Sequence, residues 1–142
     1  TGIQQRDVEH APVLQEVVDK FERWFKHAIP QGARCIVATD GPWDMRDFMY
    51  NYSVRLGGVT FPQIFFSWVD VKHTFAQFFG CQRGKIRPML DALGIPFEGR
   101  LHSGIDDARN IAKITIGLLQ RGCTFETVES IAYTGPPACI DE

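Results

Sequence analysis

The sequence predicts a helix-rich α/β domain. Three observations point there: apolar residues at helical spacing near the start of the chain, the same spacing again near its end, and between them the short apolar run CIVAT at 35–39, the pattern of a strand covered on both faces. With 142 residues the chain is long enough for one domain with a hydrophobic core and too short for two.

The first long helix is expected from Val13 to Ala28. Leu14, Val17, Val18, Phe21, Trp24, Phe25 and Ala28 recur every three or four positions, with Pro12 near the start and Pro30 just beyond the end. The strand at 35–39 ends in the turn TDGPWDM. A second helix follows from Pro42 or Trp43 to about Leu56, where Gly57 and Gly58 supply a left-handed residue. The aromatic stretch FPQIFFSWVDV reads as a covered loop leading into a helix over about 69–79 that Gly80 closes. A short helix in IRPMLDALG tolerates Pro88 only in its first turn and stops at Gly94. After a linker, the last helix runs from about Gly104 to Arg121, with Ile105, Ala108, Ile111, Ala112, Thr115, Leu118 and Leu119 expected inside and Gly122 as its stop. CTFETV is a candidate edge strand, and residues 129–142 read as a C-terminal tail.

Composition excludes several classes. At 44% hydrophobic and 23% charged, the chain has the balance of a soluble globular protein, and no apolar run approaches the roughly 18 residues of a membrane span, so no membrane partner is expected. A net charge of -2 exerts no broad attraction on a polyanion, which must then be held by a local patch or by cations. Cys35, Cys81, Cys123 and Cys139 are scattered without zinc spacing or a disulfide framework, which favours reduced thiols and an intracellular location. No signal peptide or targeting tract precedes residue 11.

The stretch RLHSGIDDARNIA, residues 100–112, concentrates titratable groups at the start of the last helix. Ser103 suits an N-cap, and Asp106 and Asp107 complement the helix dipole. His102 opens a second reading: five residues ahead of Asp107 and on the preceding loop, it reaches the same pocket. A second acidic turn, with Asp40 and Asp44, follows the predicted strand, where open α/β sheets place ligands. If the two turns meet, Asp44 and Asp107 flank one pocket with His102 at its rim. Such a layout suits phosphodiester hydrolysis, in which carboxylates hold divalent ions and a neutral imidazole accepts a proton from water.

TDGPWDM, followed about sixty residues later by RLHSGIDDARNIA, resembles the second and third motifs of the DEDDh 3′→5′ exonucleases. The likeness is greatest to the branch of the histone-mRNA 3′ exonuclease and the enhanced-RNAi exonucleases, and the opening TGIQQRDVEHA resembles a segment of that branch. The resemblance runs from residue 1 to about 125. It implies a ribonuclease H-like α/β fold, a central mixed sheet flanked by helices, in an exonuclease domain over residues 1–128. It also implies Asp44 and Asp107 as ligands of two Mg²⁺ or Mn²⁺ ions, His102 as general base, and the 3′ end of RNA as substrate, single-stranded or flanking a stem-loop. Met45, Trp43, Gly2 and Ile3 fall where the family lines its nucleotide pocket, although for Trp43 packing on the core is the expectation that its place at a helix N-terminus favours. Asp106 and Asp40 carry no metal role in the pattern.

One part of the pattern is absent. The family's first motif, a strand with an Asp-x-Glu pair, lies ahead of the TGI segment in the pattern and has no counterpart here, since the one such triplet, Asp7-Val8-Glu9, falls inside TGIQQRDVEHA; the chain thus resembles the domain without its N-terminal strands. Two ions need several anionic ligands to offset their repulsion, and two aspartates are few. A catalytically silent module, structural or RNA-binding within a ribonucleoprotein complex or bound to protein partners, is the alternative expectation. Among other features, Arg83, Lys85 and Arg87 form the densest basic cluster and are candidates to follow a nucleic-acid backbone, while the aromatics from Phe65 to Phe79 are expected in the core.

Overall fold

A computed structural model describes residues 2–137. The sheet is built around SWVD, a strand within the stretch expected to be a covered loop. Strand β1 (Val37–Thr39) pairs in parallel with β2 (Ser67–Asp70), which pairs antiparallel with β3 (Glu129–Ser130), giving a mixed sheet of order β1-β2-β3. Thr39 stands opposite Asp70, and Trp68 opposite Glu129, whose carboxylate accepts the indole N–H at 2.8 Å. The central strand is buried from its second residue on: Trp68, Val69 and Asp70 are each 3% exposed. Pro62 and the 3-10 turn Gln63–Phe66 before it masked the strand's short apolar run.

The strand expected at 35–39 is shorter and is not covered on both faces. It lies at the sheet edge, and Ile36 and Ala38 are exposed. Residues expected to begin a tail instead close the other edge: Glu129 and Ser130 form β3, while Ile131 and Tyr133 pack on a core cluster. The edge strand thus falls just after CTFETV.

Helices α1 (Gln5–Val8) and α2 (Leu14–Ala28) precede the sheet. Val18 of α2 packs with Met49, Phe61 and Phe66, and Gln15 clamps the backbone of Thr60 through both its amide N–H (3.0 Å) and its carbonyl (2.8 Å). The helix expected after the β1 turn spans Trp43–Leu56 and is wound as a π-helix. Its left-handed stop is Gly58, with φ 66; at Gly57 a Cβ would lie 2.8 Å from the carbonyl oxygen of Ser53, so glycine is required there for space.

Helix α3 (Val71–Phe79) starts directly from β2, with the Asp70 carboxylate accepting the N–H of His73 at 3.1 Å, and ends at Gly80 with φ 64. Helix α4 (Ile86–Ala92) and helix α5 (Gly104–Gln120) complete the larger core, in which Phe75, Met89, Leu90, Ile114 and Leu118 are buried together. Phe66, Trp68 and Phe75 are core residues as expected, whereas Phe78 and Phe79 are more than 40% exposed.

The inward face of α5 differs from the expected one. Asn110, Ile114, Gly117 and Leu118 are its buried residues, while Ile105 is 63% and Leu119 53% exposed, and Ala108 and Ala112 are exposed too. The helix carries two apolar stripes. Gly117 decides between them: its bare Cα lets Ile95 and Leu93 approach so closely that a Cβ would stand 3.0 and 3.2 Å from them. Cys35 and Cys81 are exposed thiols and Cys123 a buried one; Cys139 lies outside the described residues.

Candidate active site

Parallel pairing of β1 with β2 places the turns after both strands side by side. Asp40 leaves the end of β1 and Lys72 follows the end of β2, and the Lys72 ammonium lies 3.1 Å from Asp40 Oδ1. Nothing in the spacing of residues 40 and 72 announces this pair, which depends on the strand between them. Thr39, also buried, donates its hydroxyl to the carbonyl of Gly41 at 2.7 Å and tightens the turn that carries Asp44. Asp44 follows in the first turn of the π-helix.

Helix α5 packs along β1 and brings its own first turn to the same place. Asp44, Asp40, Lys72 and Asp107 line one cleft, together with Met45 and Trp43. A neighbouring cavity is lined by Asp40, Lys72, His102 and Asp107, and a third by Ile3, Arg100, His102 and Asp107. Asp107 is common to all three; Asp44 and His102 each share a wall with it, but not with one another.

The electrostatics of the cleft favour a cation. Burial pushes the Asp40 carboxyl above the usual carboxylate range despite the opposing pull of Lys72, and nearby Asp70 and Asp44 push the same way. Burial likewise raises Asp44, again against Lys72. Asp107 Oδ1 is buried with no hydrogen-bond donor among the described residues. Such an oxygen costs about 1–3 kcal/mol unless something satisfies it. All three groups offer hard oxygen donors, the type that magnesium and manganese take. Among the described residues, no group of three or more His, Cys, Asp or Glu side chains is arranged to hold a metal ion.

His102 sits on the loop before α5 with φ 64, a backbone region that non-glycine residues seldom occupy, and its side chain is exposed. Ser103 occupies the N-cap position without the expected side-chain cap; its hydroxyl hydrogen-bonds Asp106 instead.

Of the expected pocket residues, Met45 is buried against the cleft, while Trp43 is 59% exposed rather than packed on the core, with the Arg46 guanidinium 5.0 Å from its ring centroid. Ile3 is exposed on the cavity beside His102, and Gly2, with φ 75, lies against the Arg100 guanidinium. The basic cluster divides. Arg83 is held on Asp70 Oδ2 at 3.1 Å, whereas Lys85 and Arg87 line the cavity with His102, and Arg87 also stacks over Phe97 at 4.5 Å. No helix among the described residues is long and apolar enough to cross a membrane.

Residues 1–115 match the RNase_T family model, described as an exonuclease. The rat protein "3'-5' exoribonuclease 1" is 33% identical over 134 residues, covering 92% of this chain and 39% of the relative. Human "ERI1 exoribonuclease 3" is 31% identical over 129 residues, covering 89% of this chain and 38% of the relative. The chain thus spans about two-fifths of the length of these curated relatives. Among solved structures, the nuclease domain of 3'hExo, a DEDDh family member bound to rAMP, superposes with a TM-score of 0.84 at 32% identity, covering 92% of this chain and 66% of that one. A 3'-exonuclease solved in 3'-end specific recognition of a histone mRNA stem-loop gives 0.81 at 28% identity, covering 96% of this chain and 50% of that one. With its mixed sheet and flanking helices, the chain belongs to the RNase_T exonuclease family, among the DEDDh nucleases.

Proposed function

We propose that this chain forms the body of a 3′→5′ exoribonuclease that hydrolyses phosphodiester bonds with two divalent ions, magnesium or manganese. The observation that carries the reading is the meeting of Asp44 and Asp107, from separate turns, on one cleft where Asp107 keeps a buried and unpartnered oxygen. The named activity of the similar exoribonucleases supports it.

Asp44 and Asp107 would hold the ions, whose chemistry when bound is Lewis-acid stabilisation of the attacking and leaving oxygens. His102, on the cavity it shares with Asp107, accepts the proton of the attacking water, a role open only to the neutral imidazole. The bond from phosphorus to the 3′ oxygen breaks, leaving a nucleoside 5′-monophosphate and an RNA shortened by one residue with a free 3′ hydroxyl. Trp43 offers an exposed ring to a base, Met45 lies against the cleft with a soft side chain, and Ile3 with Gly2 borders the nucleotide near His102. The recognised element is an RNA 3′ end, as in the similar 3'-exonuclease solved with a histone mRNA stem-loop. The remaining anionic ligands belong beside the uncovered edge of β1, where the exposed apolar stripe of α5 provides a wall for a further strand.

Incubation of a form of the protein that carries the remaining ligands with 5′-labelled RNA and Mg²⁺ tests the reading, with products resolved by length and released nucleotides by chromatography; residues 1–142 alone, with two aspartate ligands, should turn over little or nothing. Stepwise 3′ shortening with release of 5′-monophosphates is expected, abolished in Asp107→Asn and by chelator. Manganese should broaden the NMR signals of residues 44 and 107 selectively. Cleavage that survives chelation or the Asp107→Asn change refutes the proposal; RNA binding without cleavage in any form of the protein would identify a silent module.

A further inference from the structure

Three polar side chains on one face of α5, Asp106, Asn110 and Lys113, hold the same short segment before the helix, the first two through its backbone and the third through the Glu98 side chain. Asp106 Oδ2 accepts the N–H of Arg100 at 3.1 Å, and Ser103 adds its hydroxyl to the same carboxylate. Asn110, fully buried, donates through Nδ2 to the carbonyl of Glu98 at 2.9 Å, and Lys113 pairs with the Glu98 carboxylate. Spacings of four and three put all three groups on one side of the helix.

Gly99 fits this arrangement from the other side. Its φ is 84, and a Cβ built on it would stand 2.6 Å from Asp106 Oδ1, so the carboxylate occupies the space a side chain would need. Three residues later comes His102 with φ 64. Backbone in that region persists only where the surroundings dictate it. The carboxylate reaches around the loop from Gly99 to Ser103 and leaves little freedom for the residue between.

We propose that Asp106 is a positioning residue, which clasps residues 99–103 to the first turn of α5 and thereby sets the place of the His102 imidazole relative to Asp107. The inference rests on the reading of His102 as proton acceptor. It gives Asp106 a task distinct from that of Asp107, although the two are adjacent: one carboxylate faces the loop backbone and the other the cleft.

The test compares Asp106→Ala, Asp106→Asn and Gly99→Ala with the parent, in the form of the protein that cleaves RNA. Asp106→Ala should lower kcat by about 10- to 100-fold, the usual effect of removing a group that orients a reacting one, with little change in KM or in the magnesium concentration for half-maximal rate. Asp106→Asn keeps an oxygen for the Arg100 N–H and should recover most of the loss. Gly99→Ala should reproduce the defect, and the double Gly99→Ala/Asp106→Ala variant should be no worse than either alone. Amide exchange at Arg100, followed by NMR on the chain itself, should quicken in Asp106→Ala while the thermal midpoint shows the variant folded. Wild-type kcat in Asp106→Ala, an equal defect in Asp106→Asn, or unchanged protection of the Arg100 amide each overturns the proposal. Full activity in His102→Ala overturns the proton-acceptor reading, and with it the catalytic consequence of the clasp, whatever the exchange data show.

Discussion

Replacing Asn110 separates the energy of a hydrogen-bond network from that of filling space. The residue is fully buried; its Nδ2 donates to the carbonyls of Glu98 and Asp106, each at 2.9 Å, and its Oδ1 accepts the N–H of Glu98 at 3.4 Å. At about 1 kcal/mol net for each hydrogen bond, Asn110→Ala should cost about 2–4 kcal/mol. For a chain of this size that is roughly a 10 °C fall in thermal midpoint. Asn110→Asp preserves the shape but turns an anionic oxygen toward two carbonyl oxygens where two N–H donors stood. A buried charge facing acceptors costs more than the lost bonds, about 3–5 kcal/mol at neutral pH.

The new carboxyl would have a folded-state pKa above its unfolded one. Its penalty is therefore absent below the unfolded carboxylate value of about 4 and grows as the pH rises through the raised folded value. Urea unfolding followed by circular dichroism at pH 7 and again near pH 4 measures both variants, with an unchanged m-value required for the comparison. If Asn110→Asp lies within about 1 kcal/mol of wild type at pH 7, the network is not what secures the loop and the reasoning fails.

Asp44→Asn should leave the protein at least as stable as wild type at pH 7. Burial raises the Asp44 carboxyl, so the stability contributed by its protonated form is complete below the unfolded carboxylate value and is lost as the pH rises through the folded one; a neutral amide avoids that loss. Thermal melts at pH 7 and pH 4 check this: the variant's advantage should vanish at the lower pH, and a clear drop at pH 7 would contradict it. Magnesium should stabilise the wild type through preferential binding to the folded state and should do so less in Asp44→Asn. Lys72→Met removes the cation 3.1 Å from the largely buried Asp40 carboxylate and should destabilise the fold by about 1–3 kcal/mol at pH 7. Because Asp40 is already raised by burial, that loss should shrink as acid protonates it, which urea titrations across pH 4–7 will reveal.

The features legible in the sequence are those set by neighbours a few residues apart. Helices over 14–28 and 104–120 declare themselves by apolar spacing, and Gly80, Gly94 and Gly122 mark helix ends through left-handed conformations that other residues resist. The closeness of His102 to Asp107 is of the same local kind, one loop and one helical turn. What lay beyond the sequence needed partners distant in the chain. SWVD is a strand because Val37 to Thr39 and Glu129 to Ser130 flank it, and its own four residues are too few to declare a period.

Which stripe of α5 turns inward was settled by the approach of Leu93 and Ile95 to Gly117, since periodicity ranks two apolar stripes alike. The cleft is tertiary for the same reason. Parallel pairing puts the turn of Asp40 and Asp44 beside Lys72, and packing of α5 along β1 then adds Asp107. A sequence states which acids and which imidazole are present, whereas their burial and shared walls arise only once strands more than twenty residues apart have paired.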